Sequence, residues 1–294
     1  MTDYERKEPT MILTRPSVEA DVPRQRELWK LAFGDSGAYV DNFYNNYYRP
    51  ERVLVLEEDG VVQAMTAWFD TDFVISDQER YKAGYLYAVA THPDARGKGF
   101  AGKLLQYADT YLKEVQGFQA VTTVPAQPSL HHFFGANGFR ECFTHNQLVL
   151  GKMDEETVKN LELIAISASE YGSLREELLR NVKHIAYPVD ALEYQAGCCA
   201  ISGGGLYKLQ TAAGISLLCA EGMEDGSLML KELLSGQNRE NNVKNGLLQV
   251  LPAFKGRIRV PGGGTKFGML KWLAPELEAK WDWSEQAYMG LGFD

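Results

Sequence analysis

The chain has 294 residues, 45% hydrophobic and 23% charged, which are globular proportions and enough length for two domains of ordinary size. A net charge of −9 argues against nucleic acid as the main partner, since phosphate binding needs a basic face; it is compatible with a cationic acceptor, with simple solubility as the plainer reading. No apolar run approaches the roughly 18 residues of a membrane span, and the polar start Met1–Glu8 does not read as a signal peptide, so no membrane partner and a cytoplasmic location are expected.

Met11–Arg15 reads as a short strand. Asp21–Phe33 reads as a helix, with Asp21 as N-cap and Pro23 in the first turn. Gly34-Asp35-Ser36-Gly37 breaks it, and Ala38–Tyr48 is a second helix with Val40, Phe43, Tyr47 and Tyr48 on one side. Val53–Glu57 and Val61–Val74 flank Glu58-Asp59-Gly60, a strong hairpin signal. A strand over 82–90, a helix over 101–115, a strand over 119–124, a helix over 129–136 and a closing strand pair around 139–150 complete a first domain, residues 1–150.

Residues 151–167 read as a connector with a short helix, Glu155–Leu163. In 168–294, Leu192–Ala200, Gly205–Leu209 and Gly214–Ala220 are strand-like, and Asp225-Gly226 marks a hairpin before Leu228–Leu234. A polar helix, Asn238–Gln249, and strands Arg257–Val260 and Gly268–Leu273 follow. In outline this repeats the first half; an unrelated α+β domain is the alternative. The four cysteines, Cys142, Cys198, Cys199 and Cys219, lack metal-ligand spacing, so no metal is expected. They read as buried reduced thiols, with Cys198 and Cys199 on opposite faces of a strand.

The most informative stretch is Tyr85–Gly102. A buried strand runs into the turn Arg96-Gly97-Lys98-Gly99 and then into a helix. The turn leaves amides unpaired, the helix start adds partial positive charge, and the glycines let a ligand approach the backbone. Together these make a cradle for a phosphate or pyrophosphate. A nucleotide P-loop is excluded, because Gly99-Phe100 stands where a Ser or Thr hydroxyl is needed. Gly97-Lys98-Gly99-Phe100-Ala101-Gly102 has dinucleotide spacing, but it follows Thr91-His92-Pro93-Asp94-Ala95 and not a strand. No acidic residue closes a second strand about 20 residues later.

Arg96-x-x-Gly99-x-Ala101 resembles the signature of the GCN5-related N-acetyltransferases, Arg/Gln-x-x-Gly-x-Gly/Ala. Their second signature, Asn-x-x-Ala-x-x-Leu-Tyr-x-x-x-Gly-Phe, is similar to Gln127–Phe139, which keeps Gly138-Phe139 but has Gln127 for Asn and Phe134 for Tyr. The resemblance covers roughly residues 11–150. It implies a mixed-sheet α/β (α+β) acetyltransferase fold in the first half. The second half, 168–294, is then a degenerate copy, because 235–239 lacks the second glycine.

The resemblance also implies acetyl-CoA as co-substrate. Val89, Ala90 and Thr91 would offer backbone groups to the pantetheine arm. Arg96, Gly97, Lys98, Gly99, Phe100, Ala101 and Gly102 would cradle the pyrophosphate, and Ser129 would contact the cofactor. The acceptor would be the amine of a small molecule or peptide, attacking the thioester directly. Because phenyl cannot donate a proton, Phe134 leaves the acid unassigned and keeps open a non-catalytic acyl-CoA-binding or regulatory protein; transfer of an aminoacyl or longer acyl chain is also open. His131 and His132 are close in sequence but project about 100° apart on a helix. The tail Ala287–Asp294 is apolar, and Met289, Leu291 and Phe293 would share one face of an extended strand. This layout resembles the enhanced-intracellular-survival acetyltransferases, whose C-terminal carboxylate serves as base. That implies Asp294 in this role, against a plain packing strand.

Overall fold

The computed structural model describes residues 10–149, 160–212, 214–236, 240–250 and 256–293. The first half runs β1 (Ile12–Pro16), α1 (Val22–Phe33), α2 (Gly37–Asn46), β2 (Val53–Glu58), β3 (Val61–Ser76), β4 (Glu79–Thr91), α3 (Phe100–Glu114), β5 (Ala120–Thr123), α4 (Pro128–Ala136) and β6 (Arg140–Val149). The second runs β7 (Glu162–Ala165), α5 (Ala168–Leu178), β8 (His184–Ala186), α6 (Val189–Ile201), β9 (Gly205–Thr211), β10 (Gly214–Gly222), β11 (Leu228–Ser235), α7 (Glu240–Val250), β12 (Gly256–Trp272) and α8 (Pro275–Glu278).

Twelve strands form one sheet in the order β1-β2-β3-β4-β5-β12-β11-β10-β9-β7, with β6 on β12 and β8 on β3. Two pairs are parallel, β4–β5 and β11–β12, and a helix crosses over each, α3 and α7. The halves therefore share one plan: a strand, two helices, three antiparallel strands, a crossover helix and a parallel strand. The last strands of the two plans, β5 and β12, pair antiparallel and make the sheet continuous.

Several sequence expectations change. Leu192–Ala200 is not a strand but lies in α6, whose buried positions 191, 192, 195, 198 and 199 have helical spacing. Cys198 and Cys199 are both buried on it, and Cys199 Sγ lies 3.5 Å from Cys219 Sγ of β10. The strand closing on β6 is not local: it is β12, from the other half. Arg257–Val260 and Gly268–Leu273 are one strand, with an irregular register between Val260 and Thr265. Of the expected connector helix, residues 155–159 lie outside the described residues, and Glu162–Ala165 is β7.

Strand alternation divides the core. On β3, Met65, Ala67 and Phe69 face the layer containing α1, α2, α5 and α6, while Ala64 and Trp68 face α3. On α3, Leu104, Leu105, Ala108 and Leu112 recur at helical spacing and bury against that second face. The Asp59-Gly60 hairpin has φ of 51° and 80°, the left-handed pair that a two-residue turn between twisted strands requires.

Asp21 does not cap α1. Its carboxylate takes both Arg15 guanidinium nitrogens at 2.6 and 3.0 Å and the Val18 amide at 2.8 Å. Burial alone would raise its pKa; the Arg15 and Val18 hydrogen bonds outweigh that, and the net shift is downward from 3.8. A depressed folded pKa stabilises the fold above 3.8 and loses that contribution as pH falls through the folded value. Asp21→Asn is expected to lower unfolding free energy by about 1–2 kcal/mol near neutral pH. Urea titrations should show that difference shrinking below pH 3.8; a difference that grows there contradicts the assignment.

Candidate active site

β4 and β5 pair only from Ala83–Ala120 to Leu86–Thr123, and then they part. β4 continues against β3 to Thr91, but with a bulge: the register shifts between Met65–Ala90 and Ala67–Tyr87, and Ala88 has φ of 50°. A bulge adds local twist, which carries the end of β4 away from β5. On the side turned toward β5, the backbone beyond Leu86 has no strand partner among the described residues. Val89, Ala90 and Thr91 lie on this stretch, with Ala90 buried and the other two half-buried.

The chain then makes one 3-10 turn, Pro93–Ala95, and the turn Arg96–Gly99 leads into α3. Gly97 and Gly99 have φ of 81° and 77°, left-handed values that favour glycine. A Cβ at either position would meet nothing within 4 Å. Backbone conformation, not packing, selects these glycines, and the surface in front of them is open. The Lys103 amide bonds to Gly99 O at 3.1 Å, so the amides of Phe100, Ala101 and Gly102 stand free of the helix ladder at its N-terminus. The Phe100 ring is buried and anchors the helix start. Lys98 Nζ lies 2.9 Å from the Glu58 carboxylate, so its charge is matched on β2. Arg96 is exposed and has no carboxylate partner among the described residues.

Ser129 sits exposed in the first turn of α4, beyond the end of β5. Phe134 is buried against Phe133 and Phe139 in the α3 layer, with ring centroids 5.2 and 5.4 Å away. Gly138, with φ of 89°, leaves room for the Lys271 side chain, which holds Asn137 O at 2.8 Å and pairs with Asp109. The Gly138-Phe139 signature therefore serves packing. His132 is exposed, whereas His131 is half-buried with Nδ1 2.8 Å from Glu141 Oε1. Ten residues separate that pair on different elements, and no local pattern marks it.

The tail departs from a one-faced strand. Every residue from Ala287 to Phe293 is buried, and Gly290 turns the chain at φ of 71°. Both faces are covered because the tail runs between the halves. Arg175 Nη2 donates to Met289 O, Tyr187 OH to Leu291 O, and Tyr85 OH to Gly292 O. Tyr39 of α2 and Tyr87 of β4 both donate to Phe293 O at 2.9 Å. Tyr87 OH also lies 3.1 Å from Tyr194 OH of α6. Desolvation in this cluster pushes the Tyr87 phenol pKa up, so it stays protonated and donates. Tyr87 is the first residue of β4 past its pairing with β5, so the tail is held at the point where the strands part. Asp294 lies outside the described residues. The tyrosine cluster escapes sequence reading because it draws on α2, β4 and α6.

Residues 14–139 match the family model of the acetyltransferase (GNAT) domain. These residues form a GNAT acetyltransferase domain. A crystal structure of a GCN5-related N-acetyltransferase from Anabaena variabilis is similar over 90% of this chain and 73% of that one, with TM-score 0.69 and 12% identity. Eis1 from Mycobacterium abscessus is similar over 92% and 75%, with TM-score 0.62 and 11% identity. A GCN5-related N-acetyltransferase from Sphaerobacter thermophilus is similar over 89% and 96%, with TM-score 0.53 and 12% identity. At such identities the likeness is one of fold, and it extends through both halves of the chain. No curated protein matches the sequence. The GNAT fold supports acyl transfer in general. No helix among the described residues is long and apolar enough to cross a membrane.

Proposed function

We propose that this chain is an acetyl-CoA-dependent N-acetyltransferase acting on the amine of a small molecule or peptide. The observation that carries the reading is the open left-handed glycine turn, Gly97 and Gly99, set directly after a strand that parts from its parallel neighbour. The stretch Val89–Thr91, without a strand partner on its β5 side, fits an extended amide-bearing arm. The amides of Gly97–Gly102 and the Arg96 guanidinium fit a pyrophosphate. Ser129 is assigned to the same cofactor from the far side of the gap. Acetyl-CoA would supply an activated acetyl group as a thioester. The acceptor nitrogen forms the C–N bond as the C–S bond breaks; one proton leaves nitrogen and one reaches sulfur.

An alkyl ammonium near pKa 10 is about one part in a thousand neutral at pH 7, so a base assists. We assign that role to Asp294, through its side chain or the chain terminus. Support comes from the preceding residue, whose carbonyl is held by Tyr39 and Tyr87 beside the gap. Deleting Gly292–Asp294 would be a poor test, because it also removes Phe293, which is 1% exposed. Asp294→Asn tests the side chain, and a two-glycine extension at the C-terminus tests the terminal carboxylate. One of the two is expected to lower kcat by about 10²–10⁴ with acetyl-CoA affinity unchanged. Full turnover in both variants removes Asp294 from the mechanism. Phe134 is the feature that would favour a non-catalytic acyl-CoA-binding protein; its burial in the α3 layer makes it uninformative about the proton donor.

A further inference from the structure

On one side β12 has two partners with a gap between them. β11 covers Gly256–Ile258 and β5 covers Met269–Trp272, while β6 lies along its other side. The stretch between them walls a cavity of about 250 Å³. Val124, one residue past the last β5 residue paired to β4, lines the cavity, so it adjoins the point where β4 and β5 part. Across β6 and β12, Thr265 opposes His145 and Arg259 opposes Gln147, which sets these side chains on one face.

The lining is strongly cationic for a protein of net charge −9. Arg257, Arg259 and Lys266 contribute to it, with the His131 and His145 rings and the Gln147 amide. No lining residue carries a carboxylate. Glu141 stands behind His131, on its Nδ1. Arg259 Cζ lies over the Phe267 ring, 4.5 Å from its centroid, which restrains the guanidinium. Restrained guanidinium, ammonium and imidazole donors around a small cavity match a carboxylate or phosphate.

We propose that this cavity binds the anionic group of the acceptor, so that the substrate is an amine bearing a carboxylate or phosphate and not a polycation. Net charge is merely compatible with a cationic acceptor; the local charge of the cavity points the other way. The acceptor role rests on the acetyltransferase reading, but anion binding can be tested without it. The imidazole nitrogen signals of His131 and His145 would be followed by NMR while inorganic phosphate, and separately glutarate, is added. A saturable shift with at least one anion is expected, and which of the two binds more tightly separates phosphate from carboxylate recognition. Arg257→Ala/Lys266→Ala changes two exposed side chains, so the fold should persist, and the affinity should fall about tenfold or more. The absence of a saturable shift with either anion, or unchanged affinity in the double variant, overturns the proposal.

The second arm compares acetylation of O-phosphoethanolamine and β-alanine with that of putrescine and propylamine. Higher kcat/KM for an anionic amine supports the proposal, and preference for putrescine over both anionic amines overturns it. If the protein binds no acetyl-CoA, the transferase reading fails, while the anion titration still decides the cavity.

Discussion

Gly99→Val is expected to abolish acetyl-CoA binding, by a factor of at least about 100 in Kd, in a protein that remains folded. The wild type should bind one molecule per chain. Gly99 has φ of 77° and no heavy atom within 4 Å of its would-be Cβ. A Cβ there clashes with nothing inside the protein; the cost of valine is the left-handed backbone, on the order of 1–3 kcal/mol. Its two methyl groups would occupy the open surface in front of the helix amides, where a pyrophosphate must come within hydrogen-bond distance. Gly117, at the other end of α3, has φ of 70° and the same open surroundings. Gly117→Val therefore reproduces the backbone strain away from the cradle. Calorimetry should show lost binding for Gly99→Val and retained binding for Gly117→Val. Wild-type affinity in a folded Gly99→Val protein would dismiss the cradle, and two equivalent sites in the wild type would dismiss the view that the second half is degenerate.

Replacing Arg175 is expected to destabilise the protein by about 3–5 kcal/mol, the usual cost of leaving one member of a buried ion pair alone. Arg175 is 1% exposed and Glu232 is fully buried. The guanidinium holds both Glu232 oxygens at 2.9 and 3.1 Å, and also the carbonyls of Ile185 at 2.7 Å and Met289 at 3.2 Å. Tyr171 OH adds a bond to Glu232 at 2.7 Å. Burial works against the Arg175 charge, but the adjacent Glu232 carboxylate outweighs it and raises the guanidinium pKa. Arg175→Met leaves a buried carboxylate without its counter-ion and frees the carbonyls of Ile185 and Met289. Arg175→Met/Glu232→Leu removes both charges and should recover much of the loss. Urea unfolding of wild type, the single and the double variant gives the coupling energy directly. A loss under about 1 kcal/mol in the single variant would show that water reaches Glu232.

The glycine turn before α3 was legible in the sequence because everything it needs is local. Two left-handed residues within four positions demand glycine, and the helix that follows supplies its own amides. The Asp59-Gly60 hairpin was legible for the same reason. The repeat of the two halves was legible in outline, apart from α6, whose small and polar residues hide a helical period. Acceptor chemistry was not legible, because charge counted over the whole chain says nothing about where like charges gather.

Three features were decided by tertiary structure alone. β12 leaves its own half to pair with β5 and β6, which creates the cationic gap between β5 and β11. Phe134 turns into the α3 layer because α4 buries that side against Phe139. The tail runs between the halves because its carbonyls find Arg175 and four tyrosine hydroxyls drawn from α2, β4, α5 and the segment after β8. Turn and helix propensities depend on a few neighbouring residues, so sequence alone can state them. Strand partners, buried counter-ions and the placement of the tail depend on groups tens to hundreds of residues apart, and only the packed molecule brings those together.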